Sequence, residues 1–337
     1  MKSLVWEANK VMRIRDVEEP MPREGWVVLE VRRAGICGSD IAGFLGRNEL
    51  RKPPLVMGHE FSGVVVRVGE KVPGDMEGEL VTANPIMSCD VCQHCKRGQR
   101  QLCLNRKVIG IDFPGGFADN VVVPATCCYA VTEEVGGALV EPLATAVRAA
   151  RRSRVGVGDS VAVIGAGAIG LLIAKLLKTA GAGECIVVDT NPARLKSATS
   201  WGATLTVNPP TDDVQETVRS VVHDGIDCVI DAVGSDETRK HCISVVRRGG
   251  RVVLVGLHDE TTSIPGNLVV RAEIEIAGSF AYTDDDFVRA ISLIEAKFLD
   301  FDGDWLSSRP LAEGQEAFLE QSVGAAAHAK VLLAPGK

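Results

Sequence analysis

From about residue 155 the chain alternates short Val/Ile runs with amphipathic stretches, and nothing else in it restricts the fold as strongly. The runs read "SVAVIG", "CIVVD", "TLTVN", "CVIDAV", "RVVLVG" and "IEIAGS", with helix-like segments at 168–179, 192–201, 214–223 and 237–246 among them. Strands alternating with helices form βαβ units, which predicts a parallel sheet covered by helices on both faces. Six strands suit a doubly wound α/β fold of the dinucleotide-binding kind.

The first run leads into "GAGAIG", Gly165 to Gly170, and then into a helix. Gly165 permits the tight turn, Gly167 lets a pyrophosphate approach the backbone, and Gly170 lets helix and strand pack closely. The helix N-terminus then offers free N–H groups and a favourable dipole to the phosphates. Asp189 closes the second run, 19 residues past Gly170. An acid there accepts hydrogen bonds from the ribose hydroxyls and repels a 2′-phosphate, so NAD is expected over NADP. The alternative is that Asp189 only caps the helix that follows at "DTNPARL".

The first 145 residues or so differ in kind. "GWVVLEVRRAGIC", "EFSGVVVRVGE", "GELVTANPI" and "GGFADNVVVPA" are strand-like runs punctuated by Gly and Pro, so this half is mostly β. Within it "CDVCQHCKRGQRQLC" sets Cys89, Cys92, Cys95 and Cys103 in one polar loop. The chain's 337 residues fill two ordinary domains, too much for a disulfide-stapled scaffold. A cytosolic chain, which this composition suggests, keeps its thiols reduced. Core cysteines would sit among aliphatic residues, whereas these sit among Asp90, Gln93, His94, Lys96, Arg97 and Arg100. The spacing predicts a closed structural zinc site, with an iron–sulfur cluster as the other metal that four cysteines suit. A net charge of −7 disfavours a nucleic-acid-binding zinc ribbon and nucleic-acid partners generally. The N-terminus lacks the pattern of a signal peptide. No run approaches the ~18 apolar residues of a membrane span. A cytoplasmic protein without membrane partners is the expectation.

Three more stretches carry chemistry: "GICGSD" with Cys37, Ser39 and Asp40, "GHEFSG" with His59 and Glu60, and "EPLATA" with Glu141 and Thr145. Cys, His and carboxylate are the ligands of an open catalytic zinc. Singly each has a plain alternative: Cys37 in the core, His59 satisfied and buried, Glu60 or Glu141 solvated or capping. The helix of the joint between the two halves is expected to begin at Glu141, and the tail to return to helix at "DDDFVRAISLIEAKFL" and "GQEAFLEQS" before a strand-like "KVLL".

Taken in order along the whole chain, these motifs with "GAGAIG" and "VVLVGL" resemble the zinc-containing medium-chain dehydrogenases of the alcohol and polyol type. Glu141 is similar to the polyol branch, which includes sorbitol-, butanediol- and galactitol-phosphate-dehydrogenase-like members. The resemblance implies a GroES-like catalytic domain from 1–145 and 281–337, with the structural zinc loop at 89–103, and an inserted Rossmann NAD-binding domain at 146–280. It implies catalytic zinc on Cys37 and His59, with Glu60 and Glu141 as third and fourth ligands, either yielding to water or substrate. Ser39 would relay the hydroxyl proton, and Thr145 would sit near the nicotinamide. For NAD it implies Ile169, Asp189, Arg194, the backbone of Val255, Gly256 and Leu257, and the strand end at Ser279, Phe280 and Ala281. The implied reaction moves hydride between a secondary alcohol, polyol or sugar derivative and NAD, in a homodimer or homotetramer. A non-catalytic dinucleotide-binding member is the rival reading, and a zinc-free quinone reductase the nearest other enzyme. Two departures bear on substrate: Ala42 stands where a relay histidine is common, and Gly43 and Ala281 where polyol enzymes carry an aromatic and an arginine. Phe44, Phe113 and Tyr282 are candidate pocket-lining residues.

Overall fold

A computed structural model describes residues 1–324, 326 and 328–336, which divide into two compact units, Met1–Pro142 with Thr283–Lys337 and Leu143–Tyr282. The second unit carries the alternation. Its strands are β1 (Val161–Ile164), β2 (Cys185–Val188), β3 (Leu205–Val207), β4 (Ile226–Asp231), β5 (Val246–Leu254) and β6 (Glu275–Gly278). They pair in the order β3-β2-β1-β4-β5-β6, every pair parallel. All residues of β1 and β2 are buried, as a sheet covered on both faces requires. Helices Ala168–Thr179, Pro192–Ser200, Val214–Val221 and Asp236–Val245 end within two residues of the predicted limits. Three of them start at caps that the sequence supplies, Asn191, Asp213 and Ser235, whose side chains accept backbone N–H bonds from the first turn. Ile164, Ile186, Val188, Val229 and Val252 centre the core.

The first unit is built on a seven-stranded sheet, with Trp26–Gly35 in the middle. That strand pairs antiparallel with Glu60–Val68 and Asn120–Pro124, and at its far end with the C-terminal strand Lys330–Ala334. The register sets Gly35 opposite Glu60 and also opposite Leu332. Residues 36–37, 59–60 and 330 are thereby gathered at one end of the sheet. Phe44, Phe61, Phe117 and Phe318 fill the core beside it. Phe44 packs tilted against Phe318 at 5.3 Å and Phe113 sits edge-on to Trp26 at 6.0 Å, so both serve packing; Tyr282, of the other unit, is buried too.

One expectation is corrected. The joint helix runs from Glu134 to Ser153, seven residues longer at its start than predicted, with Pro142 inside it. A proline after a glutamate reads as a first-turn signal, but a helix interior tolerates proline when burial holds it. Here Ala138, Leu139, Val140, Leu143 and Ala144 around it are fully buried. No helix among the described residues is long and apolar enough to cross a membrane.

Candidate functional site

The strand Trp26–Gly35 ends just before Cys37, and the strand Glu60–Val68 begins just after His59. Their pairing carries Cys37, His59 and Glu60 together, with one ligand atom from each inside a 4.8 Å sphere of the others. His59 and Glu60 are buried and Cys37 half-buried. A converging thiol, imidazole and carboxylate are the kinds of donor a catalytic zinc takes, so these residues fit that ion. Glu141, on the helix Glu134–Ser153, is not among this trio, though its charge is felt at Lys330.

Each candidate ligand has a partner beside it. Asp40, fully buried in the short helix Gly38–Phe44, sets Oδ1 3.3 Å from His59 Nδ1, and its Oδ2 accepts from Cys37 N at 3.2 Å. Nδ1 faces that carboxylate without a hydrogen-bond partner, so Nε2 is the candidate ring nitrogen for the ion, with a carboxylate behind the histidine. Burial pushes the Asp40 carboxyl up, but His59, Arg51 and the Cys37 N–H outweigh it and hold it down at about 2. Burial likewise disfavours charge on His59, and Asp40 with Cys37 outweighs it, raising the imidazole well above its ordinary value. Ser39 Oγ donates to Cys37 Sγ at 3.3 Å and accepts from Arg51 Nη2 at 3.1 Å. Lys330 Nζ pairs with Glu60 Oε2 and donates to the Ile36 carbonyl at 3.1 Å. Burial pulls the Lys330 ammonium down, but Glu60 foremost outweighs it and raises its pKa.

The four-cysteine loop forms a second cluster. The Sγ atoms of Cys89, Cys92, Cys95 and Cys103 all lie within 4.8 Å of one another, with Cys92–Cys95 at 3.4 Å and Cys89–Cys103 at 3.5 Å. A disulfide is ~2.05 Å long, whereas sulfurs on a tetrahedral zinc stand about 3.8 Å apart, so the set fits the ion. Backbone N–H groups of Val91 and Cys92 point at Cys89 and lower its thiol to about 6. Arg100 braces the loop, donating to Ser88 Oγ at 2.7 Å, Asp90 Oδ1 at 2.6 Å and Asp284 Oδ2 at 3.2 Å.

In the parallel unit the predicted coenzyme residues follow the C-terminal ends of the strands: Gly165 after β1, Asp189 after β2, Val255–Leu257 after β5, Ser279–Ala281 after β6. In such sheets ligands bind outside these ends, where the strand order reverses, here between β1 and β4. Gly165 has φ +103°, and a Cβ on Gly170 would run into the Gly165 carbonyl. Around Gly167 a Cβ would meet nothing within 4 Å, which leaves room for a phosphate at the helix N-terminus. Ile169 lies half-buried in that helix's first turn. Asp189 does not cap the next helix; Asn191 does. Its two oxygens accept instead from Ala166 N and Asn191 N, each at 2.7 Å, so it ties the glycine turn to β2. Arg194 stands half-buried one turn on, its Nε without a hydrogen-bond partner. Thr145 lies in the joint helix on this unit's side of the division.

Asp40, Arg51 and Lys330 escaped prediction as parts of the site. Asp40 stood in a quoted motif without a role. Lys330 gave one sign, a charge at the head of an otherwise apolar strand. Arg51 gave none.

Comparison with known proteins gives the family. Residues 23–133 match the alcohol dehydrogenase GroES-like domain, and residues 168–296 the zinc-binding dehydrogenase domain. D-xylulose reductase A of Aspergillus niger is 33% identical over 311 residues, spanning 88% of this chain and 87% of that protein. (R,R)-butanediol dehydrogenase of Bacillus subtilis is 33% identical over 317 residues, spanning 90% of each. Among solved structures, a zinc-binding dehydrogenase of Sinorhizobium meliloti 1021 bound to NADP superposes with a TM-score of 0.90 at 32% identity, covering 99% of both chains. The chain thus belongs to the zinc-binding dehydrogenases, with an alcohol-dehydrogenase GroES-like domain ahead of its dinucleotide fold.

Proposed function

We propose that this dehydrogenase oxidises a secondary alcohol, polyol or sugar derivative with NAD, using Cys37 and His59 to hold the catalytic zinc. The convergence of Cys37, His59 and Glu60 at one buried end of the sheet carries the reading. When bound, the zinc supplies Lewis acidity toward the substrate oxygen and the nicotinamide supplies the hydride acceptor.

The chain's own residues do the rest. Asp40 stands behind the His59 ring, and Lys330 holds Glu60 by one carboxylate oxygen, Oε2, which makes the other the candidate ligand atom. Glu141 is the candidate fourth ligand, giving way to water or substrate. Ser39 Oγ has a lone pair beyond its bonds to Cys37 and Arg51, and it relays the substrate hydroxyl proton by taking it on that lone pair while its own hydrogen turns from Cys37 Sγ and passes to water. No histidine stands at 42, so water carries that proton outward. Arg51, which cannot give up its charge, does not serve as an acceptor.

In the other unit the turn Gly165–Gly170 cradles the pyrophosphate, Asp189 faces the adenosine ribose with Arg194 beside it, and Val255–Leu257 and Ser279–Ala281 flank the nicotinamide together with Thr145. The Asp189 carboxylate, already accepting two backbone N–H groups, repels a 2′-phosphate, which favours NAD although the Sinorhizobium relative binds NADP. The four-cysteine loop holds a structural zinc, and the chain assembles as a homodimer or homotetramer. Screening secondary alcohols, polyols, sugar phosphates and sugar acids for reduction of NAD⁺ and NADP⁺ tests the proposal. Reduction of NAD⁺ by at least one class is expected, and a preference for NADP⁺ would contradict it.

A further inference from the structure

Arg51 lies outside every motif, in the loop between the helix Gly38–Phe44 and the strand Leu55–Val56, yet its side chain is 1% exposed. A guanidinium is buried so fully only where anions or acceptors meet it. Here a single nitrogen, Nη2, donates to Ser39 Oγ and to Asp40 Oδ1, each at 3.1 Å. Those two groups are the ones that touch the proposed ligands: Ser39 donates to Cys37 Sγ, and Asp40 Oδ1 stands 3.3 Å from His59 Nδ1. A donor arriving on the Ser39 oxygen leaves the hydroxyl hydrogen to point elsewhere, and it points at Cys37. The helix makes way for this side chain. A Cβ at Gly43 would come within 2.6 Å of Arg51 Cδ, so the missing side chain at 43 is the space through which the arginine stem passes.

We propose that Arg51 is a positioning residue for the catalytic metal. By bridging Asp40 and Ser39 it fixes the direction in which His59 and Cys37 meet the ion, and this rests on the reading of those two residues as ligands. One cation thus sets both ligand–partner pairs at once. The glycine at 43, a departure from the polyol pattern, is explained by the same bridge. A residue that merely stapled the loop 45–54 to the helix would leave the metal's coordination unchanged once the fold was intact, and that difference decides the test.

Cobalt(II) is exchanged for zinc in the full-length parent and in Arg51→Met and Arg51→Lys, and two quantities are followed: the visible absorption of the cobalt and its rate of loss to a chelator. The four-cysteine site, whose ligands no substitution touches, is the internal reference within each sample. In Arg51→Met the metal at Cys37 and His59 should leave about 10–100-fold faster, the usual effect of removing a group that orients a ligand. Its absorption bands should shift while those of the four-thiolate site do not. Arg51→Lys, which keeps a donor cation, should restore most of the retention. A folded Arg51→Met protein with parental spectrum and release rate would overturn the proposal. Should that variant not fold, Arg51→Gln, whose amide nitrogen ends two bonds short of the Nη2 position and so loses the bridge while keeping a polar group in the pocket, takes its place: faster release with shifted bands supports the proposal, and parental behaviour overturns it. A parent that takes up metal only at the four cysteines would instead overturn the ligand assignment on which the proposal stands.

Discussion

At position 35 a Cβ would collide with the Glu60 carboxylate and stand 2.9 Å from Lys330 Cε, so the buried pair of Glu60 and Lys330 exists only because the strand has glycine there. Lys330→Met leaves Glu60 buried without its cation, a change that costs about 3–5 kcal/mol. Urea unfolding followed by fluorescence, with Trp6, Trp26 and Trp305 in this unit, should show that loss, and Gly35→Ala should show a smaller one in the same direction. A Lys330→Met protein as stable as the parent would remove the pair from the account. Ser39 and Asp189 are tested by function. Ser39→Ala should lower alcohol oxidation by ~10²–10⁴-fold with zinc retained, the range of a lost acid–base group. Near-parental turnover with full metal would make Ser39 structural. Asp189→Ser should narrow the NAD over NADP preference by about tenfold, or ~1.4 kcal/mol. Because Asp189 also holds Ala166 N, the same variant should weaken NAD itself, which a steady-state KM for each cofactor measures. The residues that sequence could name are those whose chemistry is rare, thiols and imidazoles in short motifs. Asp40 and Lys330 are common residue types whose meaning comes from the side chains that face them, His59 for the one and Glu60 for the other, and Lys330 meets Glu60 from 270 positions away.

Among the elements, the loop 89–103 holds little regular structure: a four-residue helix, one 3₁₀ turn, and the cations and acids around Arg100. Val91 within it and Leu104 just after it are left largely exposed, so apolar burial contributes little to holding it. On the proposed reading its order depends on a zinc held by the four cysteines, since metal binding and folding of such loops are one process. Cys103→Ser should lose about one equivalent of zinc and expose the loop to proteolysis, while protein that keeps both metals and resists protease would refute a structural site. This loop was legible because spacing alone says what four thiols can do. The helix Glu134–Ser153 was legible only in part: its N-terminal turn of Glu-Val-Gly-Gly carries weak helix formers, and burial rather than propensity extends the helix through them.

For the whole molecule, the two kinds of periodicity separate the units well, since βαβ alternation is a local pattern and the sheet order follows from it. The tail is where sequence reading reaches least. Nothing local says that Lys330–Ala334 enters a sheet begun by residues near the N-terminus, or that it brings a cation to Glu60. That a dehydrogenase site is assembled from the two ends of the chain is the account's central claim, and zinc content measured alongside NADH formation tests it most directly. The parent should carry about two zinc equivalents per chain and reduce NAD⁺ with at least one secondary alcohol or polyol. His59→Ala, folded and still holding the four-cysteine zinc, should carry about one and form no NADH. A His59→Ala protein that keeps both zincs, or that turns over at the parental rate, would contradict the account.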